Sequence, residues 1–224
     1  MPLLLEDERT QIVDVCRRLT PDGLVIGTAG NVSLRRDDLL AVTPSGLPYD
    51  DLRPDLVCVV RVADGEVVDG PLAPASELGL HLAALRATRK AGANAVVHTH
   101  SRAATALASL QGVDELPAMH YYVAMFGGPV RVTPYHRYGT PELAAAVEAA
   151  LAGRTAALMG NHGAVVVAAD LPTAYEKALQ LEGLCDSYLR ALAAGTPRIL
   201  TQDDIAQVVQ GLKSYGQSAP PAQG

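Results

Sequence analysis

Apolar residues recur at intervals of three and four through residues 6–19, which predicts an amphipathic helix there. The same spacing, with a polar capping residue at the start, marks helices later in the chain. The predicted helices cover residues 6–19, a segment that begins at Ser76, 102–110, a segment that begins at Thr140, 172–193 and 202–213.

Runs of Val, Leu and Ala between turn residues predict the strands. The strongest hairpin signal is Asp64-Gly65, which lies between two valine-rich runs. The predicted strands are the end of residues 26–35, then 39–42, 57–62, 67–68, 95–97, 156–158 and 164–167. Helices and strands alternate, and no Pro-, Gly- or Ser-rich linker divides the interior. We therefore expect a single α/β domain over residues 1–216 and a disordered, Pro-containing tail over 217–224.

Composition narrows the class of protein. The formal net charge of −6 and the lack of a Lys/Arg cluster argue against nucleic acid and anionic membranes as partners. An anionic substrate would therefore need local capture. Three widely spaced cysteines form no disulfide framework, and the N-terminus lacks the basic start and long apolar run of a signal peptide. No stretch reaches transmembrane length, so we expect a cytoplasmic protein.

The candidate chemistry begins with His98 and His100, which follow three apolar, β-favouring residues. In a strand, such residues face the same side with Cα atoms about 6.6 Å apart, so both rings can reach one metal ion. A single His-x-His motif is weak evidence, because a random chain with six histidines in 224 residues would show one roughly one time in six. The pair becomes informative only if further ligands exist.

His162 is the candidate third ligand. It lies between two short apolar runs and is bounded by Gly160 and Gly163, which predicts a strand, a tight link and another strand. Three imidazoles and one carboxylate, with a position open to substrate, are typical of a catalytic zinc site.

Glu77 is the candidate carboxylate, although an acid at a helix start can also simply complement the helix dipole. His81 lies four residues further on, where a supporting or exposed role fits it better than ligation. His120 and His136 have no spacing partner, and we interpret both as non-ligands.

Two turns rich in Gly and hydroxyl residues, Gly27–Ser33 and Thr43–Gly46, are candidates for anion binding. Glycine lets backbone N–H groups approach a ligand, and Thr28 and Asn31 add side-chain donors, so the turns could cradle a phosphate. The alternative is a turn that needs small residues for packing. Neither turn is a Walker loop or a dinucleotide fingerprint.

Taken in order, these motifs resemble the class II, zinc-dependent aldolase/epimerase family, and most closely its branch that cleaves L-fuculose 1-phosphate. The motifs are Gly27–Ser33, Thr43–Gly46, Ser76-Glu77, His98-Thr99-His100, Pro117–Tyr121, Gly139-Thr140, Asn161-His162-Gly163 and Lys213–Gly216. The resemblance implies a single-domain three-layer α/β/α sandwich around a largely antiparallel sheet. It also implies a homotetramer with active sites at subunit boundaries.

The resemblance assigns roles to individual residues. It makes His98, His100, His162 and Glu77 ligands of one Zn²⁺ per subunit, or of another divalent metal, with Glu77 also transferring protons. It makes Tyr121 and Tyr215 catalytic residues. The phosphate cradle that it implies consists of Thr28, Gly30, Asn31, Ser45, Gly46 and Ser76. One departure is Ala75, where the family commonly has a serine, which removes one phosphate donor.

The implied activity is the reversible cleavage of a ketose 1-phosphate to dihydroxyacetone phosphate and a short aldehyde. The sugar phosphate would be L-fuculose 1-phosphate or a 5-deoxypentulose 1-phosphate. Cleavage beside a ketose carbonyl leaves an enediolate, which a metal ion stabilises as a Lewis acid. Apolar Met125 and Phe126 favour an aldehyde that ends in a methyl group.

Three alternatives remain open from the sequence. A sugar-phosphate 4-epimerase of the L-ribulose-5-phosphate type would use the same metal-dependent cleavage. A non-catalytic adducin-like interaction module keeps the fold but lacks the metal histidines. The ligands alone, without the two Gly/hydroxyl turns, would also suit a metal-dependent hydrolase.

Overall fold

The computed structural model describes residues 3–212. Its helices are α1 (Glu6–Leu19), α2 (Leu78–Thr88), α3 (Arg102–Ala108), α4 (Pro141–Ala150), α5 (Leu171–Ala194) and α6 (Gln202–Leu212). Its strands are β1 (Asn31–Arg36), β2 (Leu39–Val42), β3 (Cys58–Arg61), β4 (Val67–Asp69), β5 (Ala95–Thr99), β6 (Glu115–Leu116), β7 (Val130–Thr133), β8 (Ala156–Met159) and β9 (Gly163–Ala168). Short 3₁₀ turns lie at Tyr49–Asp51, Pro54–Leu56, Arg89–Ala91 and Tyr121–Phe126.

The strands of this range form one sheet in the order β4-β3-β2-β1-β5-β9-β8-β7-β6. Each neighbouring pair of described strands is antiparallel except β7 and β8, which run parallel. β5 occupies the middle of the sheet, and all five of its residues are buried. A strand covered on both faces reads as a continuous apolar run, as Ala95-Val96-Val97 does.

Helices cover both faces of the sheet. Alternate strand residues point to opposite faces, so Ala95 and Val97 join one apolar core while Val96 joins the other. The first core includes buried residues of α1, α3 and α5, and the second includes those of α2 and α4. This is a single-domain, three-layer α/β/α arrangement around a largely antiparallel sheet, so the predicted fold class is confirmed.

The predicted helices and strands are present with small shifts at their boundaries, whereas β6 and β7 are not among the predicted strands. The helix over 6–19 is confirmed to the residue, and Thr140 caps α4 by accepting a hydrogen bond from the Leu143 amide at 3.3 Å. The prediction that Ser76 caps the next helix is wrong, because α2 begins at Leu78 and Glu77 holds the capping position. Residues 213–224, which include Tyr215 and the predicted tail, lie outside the described part of the chain.

Cys16, Cys58 and Cys185 are buried free thiols, in agreement with the prediction of no disulfide framework. Among residues 3–212, no helix combines the length and the apolar character that crossing a membrane requires.

Candidate metal centre

His98 lies on the central strand β5, between Asn31 of β1 and Val165 of β9. Its imidazole is fully buried, and Nδ1 donates a hydrogen bond to the Ala164 carbonyl at 2.9 Å. Because a carbonyl only accepts, this contact directs Nε2 away from the backbone. Nε2 lies 3.0 Å from Glu77 Oε2 and 3.0 Å from His100 Nε2.

His162 reaches the same point from the link between β8 and β9. Asn161 adopts φ 54°, a left-handed conformation that asparagine tolerates, and so reverses the chain there. α3 supports this link, since the Asn161 amide donates to the Ala108 carbonyl at 3.2 Å. His162 Nε2 then lies 3.1 Å from His100 Nε2. The predicted convergence of the three imidazoles is therefore present.

Glu77 supplies the carboxylate. Its backbone precedes the first turn of α2, and its side chain is buried beside His98 and His162. Oε2 accepts a hydrogen bond from Asn31 Nδ2 at 3.2 Å. Oε1 is buried without a hydrogen-bond donor in the described residues, and His162 Nε2 lies 3.4 Å from it. Burial opposes ionisation, but the contacts with His98 and Asn31 bring the pKa of Glu77 below its ordinary value, so the group is a carboxylate.

These four side chains fit a divalent metal ion. The candidate ligand atoms of Glu77, His98, His100 and His162 all lie within 4.8 Å of one another. Burial is the largest cause that lowers the pKa of His100 to about 3 and that of His162 to about 4, so both rings are neutral at pH 7. A neutral imidazole can offer a nitrogen lone pair, so a cation shared with the Glu77 carboxylate would stabilise this cluster. Three nitrogens and one oxygen suit Zn²⁺ and similar divalent ions.

Two glycines let the neighbouring strands approach β5 closely enough to build this cluster. Gly30 precedes β1 at φ +76°, and a Cβ there would lie 2.6 Å from the His98 carbonyl oxygen. Gly163 opens β9 on the other side, and a Cβ there would lie 2.1 Å from the Thr99 carbonyl oxygen. No side chain fits at either position without moving the backbone.

A cavity of about 310 Å³ opens beside the cluster, and Glu77, His100 and His162 line it. The six residues of the predicted cradle line the same cavity: Thr28, Gly30, Asn31, Ser45, Gly46 and Ser76. No Lys or Arg is among the described lining residues, so an anion there would meet hydroxyl groups, an amide and backbone N–H groups. Ala75, the departure from the family pattern, also lines it.

Hydrogen bonds hold the two Gly/hydroxyl turns together. The hydroxyl of buried Tyr49 donates to the Ala29 carbonyl at 3.3 Å and joins the first turn to the segment after the second. The Ser45 amide donates to the Ala73 carbonyl at 3.0 Å, which brings the second turn beside Ala75 and Ser76. The cradle is therefore built from three separate chain segments.

Tyr121 lies apart from this cavity. It is 45% exposed, stacks on His120 with ring centroids 4.5 Å apart, and is not among the lining residues. The expectation that Phe126 faces the aldehyde is wrong, because this ring is fully buried in the core with α3 and α5. The predicted catalytic Tyr215 lies outside the described residues.

The sequence interpretation missed several residues that line the cavity, namely Tyr135, Tyr138 and Tyr49. The parallel pairing of β7 with β8 brings the segment after Thr133 beside the link that carries His162. Parallel strands end at the same edge of a sheet, but the sequence offers no signal for this pairing. His136 also lines the cavity, but none of His136, His120 and His81 belongs to the cluster of four candidate ligands.

The chain matches the sequence model of the family described as Class II Aldolase and Adducin N-terminal domain over residues 10–189. It is 37% identical over 217 residues to the 5-deoxy-D-ribulose 1-phosphate aldolase of Bacillus thuringiensis serovar kurstaki, covering 96% of this chain and 100% of the relative. It is 40% identical over 219 residues to the 5-methylthioribulose-1-phosphate/5-deoxyribulose-1-phosphate aldolase of Rhodospirillum rubrum, covering 96% of each. The solved structure of an L-fuculose 1-phosphate aldolase superposes with a TM-score of 0.86 at 32% identity, covering 92% of this chain and 96% of that one.

Proposed function

This chain belongs to the class II aldolase and adducin N-terminal domain family, and from that membership we propose that it is a metal-dependent aldolase. Its substrate is a ketose 1-phosphate, which it cleaves reversibly to dihydroxyacetone phosphate and a short aldehyde. The metal is Zn²⁺ or a similar divalent ion, one per subunit. The observation that carries the proposal is the convergence of Glu77, His98, His100 and His162 at one wall of a cavity lined by anion-binding groups.

When bound, the metal ion would supply Lewis-acid stabilisation of the negative charge that develops beside the breaking carbon–carbon bond. His98, His100 and His162 would hold it, with Glu77 as the fourth residue. Glu77 is also the proton-transfer group, because its Oε1 has no donor within the described residues and the side chain borders the cavity. The hydroxyls of Thr28, Ser45 and Ser76 and the amide of Asn31 would orient the phosphate.

The aldehyde half of the substrate ends in a carbon without a hydroxyl group. The names of the relatives support this, since 5-deoxyribulose, 5-methylthioribulose and L-fuculose phosphates share that feature. Phe126 does not contribute to the binding of this end of the substrate, because its ring is buried in the core. The apolar surface for this end instead comes from Tyr135 and Tyr138, which are 64% and 60% exposed and line the cavity. A pocket of this kind discriminates by only about 1–3 kcal/mol per methylene, so several short aldehydes should react.

Two other functions are less well supported. A 4-epimerase would use the same ligands, but the relatives compared above are named as aldolases. A non-catalytic adducin-like module would have no need of three buried or half-buried imidazoles around a carboxylate.

We also propose a homotetramer in the cytoplasm, with active sites at subunit boundaries. Tyr121 is exposed and does not line the cavity of its own subunit. A catalytic role for it therefore requires that it reach the active site of a neighbouring subunit. Light scattering measures the assembly, and mixing Tyr121→Phe subunits with Glu77→Gln subunits tests the shared site. Mixed tetramers should regain activity that neither variant has alone. If no activity is recovered, Tyr121 acts within its own subunit or has no catalytic role.

The deciding experiment is a panel of aldehydes offered to the Zn²⁺-loaded protein with dihydroxyacetone phosphate. Acetaldehyde, L-lactaldehyde and (methylthio)acetaldehyde should condense, and glycolaldehyde and glyceraldehyde should react more slowly. L-Ribulose 5-phosphate is the epimerase control. Epimerisation without condensation would overturn the aldolase assignment. Condensation with the hydroxylated aldehydes alone would overturn only the proposed aldehyde class.

A further inference from the structure

Behind Glu77, four buried polar side chains form one hydrogen-bonded row. Ser33 Oγ lies 2.6 Å from His81 Nδ1, and His81 Nε2 lies 2.5 Å from Asn31 Oδ1. Asn31 Nδ2 lies 3.2 Å from Glu77 Oε2. Ser33 and Asn31 come from β1, while His81 lies one turn into α2, and all four side chains are buried.

The donors and acceptors in this row have only one consistent arrangement. Glu77 is an acceptor, so the amide of Asn31 turns its NH₂ group towards the carboxylate and its Oδ1 towards His81. His81 must then donate from Nε2, which leaves Nδ1 to accept from the Ser33 hydroxyl. The opposite amide orientation would set Oδ1 against the carboxylate, where neither oxygen can donate. Each member therefore determines the orientation of the next.

Asn31 has a second N–H, and Asn31 also lines the cavity in which the phosphate is proposed to bind. Its amide thus lies between the anion cradle and Glu77. His81 does not line the cavity and is not one of the four candidate ligands, although its backbone amide donates to the Glu77 carbonyl at 3.4 Å.

We propose that His81 is a positioning residue that, together with Ser33, fixes the amide of Asn31 and through it the carboxylate of Glu77. This inference rests on the proposed function and adds to it. Oε2 of Glu77 is held by the amide, which leaves Oε1 for the metal ion and for proton transfer. Burial, the largest cause, lowers the pKa of His81 to about 3, which keeps the ring neutral, and its hydrogen-bond partners then set the tautomer.

The test compares four variants. His81→Phe keeps the bulk of the ring but removes both nitrogens, whereas His81→Gln keeps one donor and one acceptor in a similar arrangement. Ser33→Ala removes only the hydroxyl that selects the tautomer. Thr88→Val is the matched control, because Thr88 is also buried on α2 but its hydroxyl donates only to the Ala84 carbonyl at 2.7 Å.

Two readouts are taken besides steady-state kinetics. The first is the affinity for Zn²⁺ alone, measured by chelator competition, and the second is the visible spectrum of the Co²⁺-loaded protein. We expect His81→Phe to lose about 10- to 100-fold in metal affinity or kcat and to change the Co²⁺ spectrum, as losses of groups supporting metal ligands do. His81→Gln should recover most of that loss, and Thr88→Val should match the wild type. A folded His81→Phe variant with wild-type affinity, spectrum and kcat would overturn the inference.

Nuclear magnetic resonance of ¹⁵N-histidine-labelled protein decides the case if His81→Phe does not fold. The wild-type protein should show His81 as the Nε2–H tautomer, with His81→Gln used to assign the signal. Ser33→Ala should shift that signal and lower kcat. A wild-type Nδ1–H tautomer would overturn the inference whatever the enzyme does. Failure of the proposed function would give a different result from failure of this inference, because the wild type itself would then bind no Zn²⁺ and cleave no ketose phosphate.

Discussion

Gly163 lies so close to Thr99 that a Cβ atom on the glycine would be 2.1 Å from the Thr99 carbonyl oxygen. The same Cβ would be 3.3 Å from the Cα of His100. This approach sets the distance between His162, which precedes the glycine, and His100, which follows the threonine. The metal cluster therefore depends on a residue that offers no ligand.

Gly163→Ala should separate β9 from β5 and pull His162 Nε2 away from His100 Nε2. Overpacking of this kind costs about 1–3 kcal/mol of folding free energy, and the variant should also bind Zn²⁺ more weakly. Thermal unfolding and chelator competition measure the two effects. Gly183→Ala is the control, since Gly183 lies within α5 with nothing near its would-be Cβ, and Ala is favoured there by about 1 kcal/mol. Equal behaviour of the two variants would contradict the steric argument.

His98→Ala, His100→Ala and His162→Ala should each lose bound zinc, because each removes one of four converging ligand atoms. Metal analysis after dialysis against Zn²⁺ measures this. His136→Ala is the control, as His136 lines the cavity but lies outside the cluster. Chelation should also lower the melting temperature of the wild type and not that of His98→Ala, since metal at 100 times its Kd contributes about 2.7 kcal/mol. Unchanged zinc content in the three variants would refute the site.

Glu77→Gln should keep the fold and most of the zinc, because glutamine retains an oxygen ligand and nearly the same volume. Its turnover should fall by about 10²- to 10⁴-fold, the usual contribution of a general acid or base. Release of dihydroxyacetone phosphate, followed at saturating Zn²⁺, is the measurement. Glu148→Gln, which alters an exposed acid paired with Arg86 on the surface, is the control. Turnover near the wild-type value would show that Glu77 transfers no proton and serves only as a metal ligand or as the residue that caps α2.

Ser45→Ala should raise the KM for the sugar phosphate, because a hydrogen bond to a charged group contributes about 1.5–3 kcal/mol. Ala75→Ser should have the opposite effect, since it restores a hydroxyl at a buried position that lines the same cavity. Inhibition by inorganic phosphate measures the cradle directly and separates it from the aldehyde pocket. If both variants bind phosphate as the wild type does, the anion lies elsewhere.

Local patterns in the sequence determined most of the elements and the ligand types. The helix over residues 6–19 is set by its apolar spacing. The two-residue repeat of a strand pointed to His98 and His100 as a pair, although β5 ends at Thr99 and His100 lies just beyond it. The sequence also marked Gly30 and Gly163 as turn residues, but it did not show why glycine is needed at these two positions. Each is required by a carbonyl of β5, a neighbour far away in the chain.

Tertiary structure alone decided how distant segments meet. Periodicity cannot give the register that pairs Asn31 with His98, nor the β7–β8 pairing that brings Tyr135 and Tyr138 to the cavity. Phe126 and His81 illustrate the same limit, because an apolar ring and a helix-borne imidazole look alike in sequence whether buried or exposed. Burial depends on which surfaces pack together, and that packing is a sum of long-range contacts that no short window of the chain contains.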